Sequence, residues 1–201
     1  MNFGIGNLAS IKNIIKKVGG KSQLVSTPEE IQQATKLILP GVGHFAKAMD
    51  KIDASGLKES LNQKVLEEKI PIMGICLGMQ LMTKHSEEGD RDGFGWIDAN
   101  TIKFQFEDHD IKVPHMGWNE ITFKKPNIFS EAYPETSRFY FVHSYRVMCE
   151  NSNDILTTSH YGGLEFHCGY QKDNIIGVQF HPEKSHKFGM AWMKSFLEWN
   201  P

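Results

Sequence analysis

Apolar residues at Leu8, Ile11, Ile14, Ile15 and Val18 recur with the three-and-four spacing of a helix that buries one stripe, and Gly19-Gly20 is placed to end it. Thr27-Pro28-Glu29-Glu30 reads as a second helix start, with Thr27 as N-cap, Pro28 in the first turn and Glu30 positioned for a capping box. Lys36 to Leu39 is then a short apolar strand that breaks at Pro40-Gly41-Val42-Gly43. Leu57, Leu61 and Val65 mark one face of a helix ending near Lys69. Ile70 to Ile75 is apolar without alternation, the pattern of a strand covered on both sides, and a helix-like segment, Leu77 to Met82, follows at once.

This alternation of strand and helix predicts an α/β fold: a mostly parallel sheet with helices on both faces. Beyond Trp96 the pattern changes to short runs of β-branched and aromatic residues separated by turn residues. Thr101 to Phe106, Asn119 to Phe123, Phe139 to Tyr145, Ile155 to Tyr161 and Ile175 to Phe180 are expected to add antiparallel strands in the C-terminal half. Trp192, Phe196 and Trp199 have helical spacing, so Phe188 to Trp199 reads as a closing helix. The chain shows no repeat and no linker, and its 201 residues suit a single domain over 1–201.

Composition narrows the partners. With 22 Lys+Arg against 24 Asp+Glu, the net charge of −2 lacks the basic excess that a phosphate backbone demands, so nucleic acid is not expected. The longest nearly apolar run, Ile70 to Met82, falls short of the roughly 20 residues of a membrane span, and the first residues do not have the pattern of a secretory signal. Three cysteines, Cys76, Cys149 and Cys168, do not form a disulfide framework, which points to a reducing, cytoplasmic setting. The histidines show no metal-ligand spacing, and neither a metal nor another cofactor is expected.

Two strings carry candidate chemistry. Gly74-Ile75-Cys76-Leu77-Gly78 falls between the buried strand and the helix after it, the G-x-nucleophile-x-G elbow in which small flanking residues permit a sharp turn. A thiol at a helix N-terminus is favoured as thiolate, and the Leu77 amide points where an oxyanion donor is wanted. A cysteine in a tight turn is otherwise an inert buried residue. In Gln179-Phe180-His181-Pro182-Glu183 an extended chain puts His181 and Glu183 on one side, so the carboxylate can orient the imidazole. Alone, a His-Pro-Glu at a strand end is more often a capped turn than a catalytic pair. Together the two strings supply a nucleophile, a base and an orienter: Cys76, His181 and Glu183. The glycine-rich turn at Val42-Gly43 is suited to bringing backbone amides close to a ligand, although most such turns only reverse the chain.

Pro40-Gly41-Val42-Gly43-His44-Phe45, Gly74-Ile75-Cys76-Leu77-Gly78-Met79-Gln80 and Gln179-Phe180-His181-Pro182-Glu183-Lys184-Ser185 resemble, in order and spacing, the motifs of class I glutamine amidotransferases. Within that family Phe3-Gly4-Ile5-Gly6-Asn7-Leu8, Ser86-Glu87-Glu88-Gly89 and Pro114-His115-Met116-Gly117-Trp118-Asn119 are similar to the glutaminase subunits of imidazole glycerol phosphate synthases. The resemblance spans essentially the whole chain and implies a flavodoxin-like fold and hydrolysis of L-glutamine through a cysteine thioester. It further implies an oxyanion hole at Val42, Gly43 and Leu77, and a site for the substrate's amino-acid end around Gly43, Gln80, Glu88, His143, Ser144 and Tyr145. The ammonia is expected to pass to a (β/α)8-barrel cyclase in a heterodimer that makes imidazole glycerol phosphate and an aminoimidazole carboxamide ribotide. The partner contact is expected around Asn7, Met116, Trp118 and Lys184, with Trp118 equally readable as core packing.

Three points pull differently. Members of the family begin with a hydrophobic strand ahead of the Gly-Asn pair, whereas this chain starts Met1-Asn2-Phe3-Gly4, so the first strand is expected to be missing. Lys172 to Gly177 and Ser185 to Gly189 are similar to paralogous glutaminases that feed synthases modifying surface sugars. A noncatalytic partner-binding module is a further alternative, and it predicts damage to the three catalytic candidates, all of which are present; against a stand-alone thiol hydrolase stand the Gly6-Asn7 pair and the Pro114–Asn119 segment, partner-contact motifs it would not need.

Overall fold

The computed structural model describes residues 8–133 and 136–201. Asn7 and the chain start from which the first strand is expected to be missing fall on residues 1–7, outside the described residues. The described part opens with helix α1 (Leu8–Lys17), which buries Ile11, Ile14 and Ile15, and continues to the short helix α2 (Pro28–Gln32). There the capping box forms: the Thr27 hydroxyl accepts from the Glu30 amide, and the Glu30 carboxylate accepts from the Thr27 amide. Strand β1 (Leu37–Gly41), helix α3 (Phe45–Ser55), helix α4 (Lys58–Asn62) with its π-helical extension over Gln63–Glu67, strand β2 (Ile72–Cys76) and helix α5 (Leu77–Leu81) complete the first half.

The second half holds β3 (His85–Ser86), β4 (Arg91–Asp92), β5 (Ala99–Lys103), β6 (His115–Phe123), β7 (Ser137–His143), β8 (Tyr145–Cys149), β9 (Ile155–Tyr161), β10 (Leu164–Lys172) and β11 (Ile175–Val178). A 3₁₀ turn at Pro182–Lys184 leads into helix α6 (His186–Glu198). The principal sheet runs β1-β2-β11-β10-β8-β5-β3-β4, while β6, β7 and β9 form a wing joined to it through β10. β1 and β11 flank β2 in parallel. From β11 outward the pairings are antiparallel except for β3 with β5, so the sheet is mixed and its antiparallel part is more extensive than the strand–helix alternation suggests.

The parallel centre is covered on both faces, as its unalternating sequence requires. Leu37, Leu39, Ile72 and Ile175 face one core with Phe45, Met49 and Leu61. Met73, Ile75, Ile176 and Val178 face the other, with Ile11, Phe180, Trp192 and Phe196. Strand β1 runs through Pro40 to Gly41 rather than ending at Leu39. The expected strand Phe139 to Tyr145 divides at Ser144 into β7 and β8. No helix of the described residues is long and apolar enough to cross a membrane.

Candidate active site

Parallel register sets the site. Gly41 at the end of β1 is opposite Cys76 at the end of β2, so the Val42-Gly43 turn and the cysteine leave the sheet side by side. Ligand crevices of α/β sheets lie outside such carboxyl strand ends. Cys76 takes φ 53° and ψ −110° between β2 and α5, a conformation that costs a non-glycine residue of order 1–3 kcal/mol and is typical of a nucleophile held out at an elbow. Gly78 makes the elbow possible: a Cβ there would sit 1.7 Å from the Leu39 carbonyl oxygen. Gly43 has φ +110°, open to glycine and strained for anything else.

Cys76 and the Val42-Gly43 turn line a cavity of about 290 Å³. It brings together Cys76, Leu77, Val42, Gly43, Gln80, Glu88, His143, Ser144, Tyr145 and His181, every catalytic, oxyanion and substrate position expected from the sequence apart from Glu183. Glu183 sits behind His181, its Oε1 2.8 Å from Nδ1, and both side chains are almost wholly buried. The sequence reading put this pair on an extended strand. Only His181 is extended; Glu183 is carried back by the Pro182–Lys184 turn, which proline starts readily with its fixed φ.

A carboxylate at Nδ1 accepts the hydrogen bond of an Nδ1–H and so leaves Nε2 to face the nucleophile. Nε2 of His181 is buried with no hydrogen-bond partner. Burial alone lowers the affinity of this ring for a proton, but its interactions with the Cys76 sulfur and the Glu183 carboxylate outweigh that, and the pKa rises to about 9. The backbone of His181 is fixed as well: its N–H donates to the Tyr140 carbonyl at 2.9 Å, and its carbonyl accepts from the Ser185 hydroxyl at 2.7 Å.

Glu88 has two duties. Its Oε2 accepts from the Phe45 amide at 2.7 Å, capping α3 where His44 offers no side-chain bond. The residue also lines the cavity, so it brings an acidic side chain to its wall. Gln179 is a site residue to which the sequence assigns no role. Fully buried, it accepts from Gln80 Nε2 through Oε1 at 3.1 Å and turns Nε2 to the Cys76 sulfur at 3.7 Å.

Of the expected partner residues, Met116, Trp118 and Lys184 are described, and they lie at the surface. Met116 and Trp118 are 61% and 41% exposed, so Trp118 is not core. Its ring stacks on His186 with centroids 5.4 Å apart, and the Lys184 ammonium lies 5.5 Å from the centre of the Tyr140 ring.

The family model described as glutamine amidotransferase class-I matches residues 1–199. The chain is 52% identical over 198 residues to "Imidazole glycerol phosphate synthase subunit HisH 2" of Methanococcus maripaludis, covering 98% of this chain and 97% of that protein. It is 46% identical, with the same coverage, to the protein of the same name from Pseudomonas aeruginosa. Among solved structures it resembles a glutamine amidotransferase with a TM-score of 0.75 at 16% identity, over 96% of this chain and 94% of that one. The structure of PurLQS from Thermotoga maritima gives a TM-score of 0.72 at 16% identity, over 96% and 93% of the two chains. At such identities these two likenesses bear on fold alone.

Proposed function

The chain belongs to the class I glutamine amidotransferases, and from that membership we propose that it is the glutaminase subunit of an imidazole glycerol phosphate synthase, hydrolysing L-glutamine for histidine biosynthesis. One observation carries the site assignment: a cysteine held at a strained elbow shares a small cavity with a carboxylate-bound histidine whose free ring nitrogen has no other partner. The relatives favour this pathway over the surface-sugar paralogue.

In the first half-reaction the Cys76 sulfur bonds to the side-chain amide carbon of glutamine. The oxyanion that forms is stabilised by the backbone amides of Leu77 and the Val42-Gly43 turn. The C–N bond breaks as His181 gives its Nε2 proton to the departing ammonia, leaving a thioester. His181 then takes a proton from water, whose oxygen attacks the thioester carbon; glutamate departs and the thiol is restored. Glu183 holds the imidazole in place throughout and stabilises its charged form whenever the ring carries the second proton. Glu88 accepts from the substrate ammonium, while Gln80 and the His143-Ser144-Tyr145 segment hold the amino-acid end. Thiolate, imidazole and backbone amides supply every group these steps need, so no cofactor is assigned.

A glutaminase subunit works with a synthase subunit that uses the ammonia. We assign that partner as a (β/α)8-barrel cyclase in a heterodimer, contacting Met116, Trp118 and Lys184, with Asn7 as a further contact from outside the described residues. The three cysteines are unpaired, in keeping with a cytoplasmic protein built as one domain over 1–201.

Cys76→Ala tests the reading. Glutamate release should vanish, alone and with the cyclase and its nucleotide ligand, while circular dichroism and melting temperature stay near the parent because the small side chain adds little packing. Residual turnover, or global unfolding of the variant, counts against the assignment.

A further inference from the structure

His143 and Tyr145 bracket the bend at Ser144 where β7 gives way to β8, and all three residues line the cavity. The Tyr145 carbonyl accepts from Nδ1 of His143 at 2.7 Å and from Nε2 of Gln80 at 3.3 Å. A carbonyl only accepts, so Nδ1 of His143 carries a proton. Nε2 of the same ring lies 3.0 Å from Nδ1 of His115. Two N–H groups cannot face one another, so this contact holds a single proton.

The far end of the chain decides where that proton sits. Nε2 of His115 is 3.2 Å from the Asn119 amide nitrogen, which only donates. The orientation of that amide is fixed because its nitrogen also donates to the His160 carbonyl and its oxygen accepts from the Glu120 amide. One proton order therefore satisfies every contact: Asn119 donates to His115, His115 to His143, and His143 to the Tyr145 carbonyl. Register places His115 directly opposite His143 across β6 and β7, and its ring is clamped by Phe141 and Tyr161 at centroid distances of 4.9 and 4.2 Å. Burial pushes the two rings down to about 4 and about 3, so both stay neutral at physiological pH.

We propose that His115, which does not line the cavity, is a positioning residue for the glutamine site: its Nδ1 proton fixes the His143 ring and, through it, the 143–145 bend that receives the substrate's amino-acid end. This rests on the glutaminase reading. His115 belongs to the Pro114–Asn119 segment, whose next residue, Met116, is exposed, so the surface strand and the substrate pocket share a hydrogen-bonded link.

The test uses His115→Phe, which keeps a flat ring among aromatic neighbours but has no donor, and His115→Asn, whose Nδ2 occupies the same bond position as the imidazole Nδ1. Two quantities are measured: glutamine hydrolysis by the chain with its synthase partner, and calorimetric binding of glutamine in a Cys76→Ala background. His115→Phe is expected to raise KM and Kd about tenfold with kcat within about threefold, and His115→Asn to stay within about threefold of the parent on all three. A folded His115→Phe chain with parental KM and Kd overturns the proposal, as does a His115→Asn chain impaired to the same degree. Imidazole ¹⁵N shifts of the unsubstituted protein decide it independently of any variant's folding: both rings should be neutral with the proton on Nδ1, and an Nε2–H tautomer at His143 overturns the assignment. If the parent neither hydrolyses nor binds glutamine, the glutaminase reading itself fails, and the proposal with it.

Discussion

At His181 two effects of opposite sign compete, and the outcome sets a pH range. Burial disfavours the charged ring; the Cys76 sulfur and the Glu183 carboxylate favour it and win, holding the proton up to about 9. The imidazolium needed to protonate departing ammonia is thus present below about pH 9 and lost as pH rises through it. The same raised pKa contributes stability fully below the ordinary histidine value, near 6.5, and that contribution fades as pH rises through about 9. Glu183→Gln keeps the shape and removes the charge, so the alkaline limb of the kcat profile should move to lower pH. The rate should fall about 10²-fold or more with KM nearly unchanged, as a steady-state glutamate assay across pH 6–10 would record. An unmoved limb at full rate removes Glu183 from the mechanism. Burial pushes the other two thiols, Cys149 and Cys168, up to about 12, which leaves them protonated and unreactive at neutral pH. Cys149→Ser and Cys168→Ser should therefore retain glutaminase activity, and iodoacetamide followed by peptide mass spectrometry should find Cys76 as the labelled site. That Cys76, His181 and Glu183 come together was legible because each lies in a short string with a distinctive local geometry. Gln179 opens the same string as His181, but its contacts were not legible, since its partners Cys76 and Gln80 are about a hundred residues away.

Elements were legible where their signals are local. The stripe of α1 and the capping box of α2 are written within a few residues of themselves, and both form as read. Helix α3 escaped because its start is capped from afar: His44 makes no side-chain cap bond, and the Glu88 carboxylate, 43 residues later, takes the Phe45 amide. Strand β10 escaped for a related reason. It pairs with β8, β9 and β11, an arrangement that a bulge near Gly169 permits and that no pattern within Leu164–Lys172 announces. The pairing of β1 with β2 and the packing of α5 across them decide whether the elbow exists. A methyl group at position 78 would meet the Leu39 backbone at 1.7 Å, and backbone cannot yield as a flexible side chain can. Gly78→Ala should accordingly force α5 away from β1, destabilise the protein by more than about 2 kcal/mol and abolish most glutamine turnover. Urea denaturation and the glutamate assay measure the two effects, and a variant with parental stability would mean that α5 does not seat against β1 as described.

On the scale of the whole molecule, the surface around Trp118 is joined to the catalytic centre by backbone. Trp118 pairs with Tyr140 across β6 and β7, and the Tyr140 carbonyl accepts from the His181 amide. Met116 pairs with Val142, whose carbonyl lies 3.9 Å from the Cys76 sulfur. A partner seated on these strands would therefore press on elements one hydrogen bond from the histidine and the nucleophile. The surface has the makeup of an interface centre: an exposed indole stacked on His186, an exposed methionine, and a lysine lying over an aromatic ring. With a net charge of only −2, long-range steering is weak, so affinity should depend on such anchors more than on salt. Trp118→Ala is expected to weaken binding to the synthase subunit by about 1–3 kcal/mol, near tenfold or more in Kd, because a large ring loses its pocket on the partner. Melting of the isolated chain should shift little, since that ring already faces solvent on part of its surface. Calorimetric titration of the cyclase into both chains, with thermal melts of each, separates the outcomes: parental affinity puts the docking face elsewhere, and a large loss of thermal stability makes Trp118 a structural residue of the β6–β7 wing.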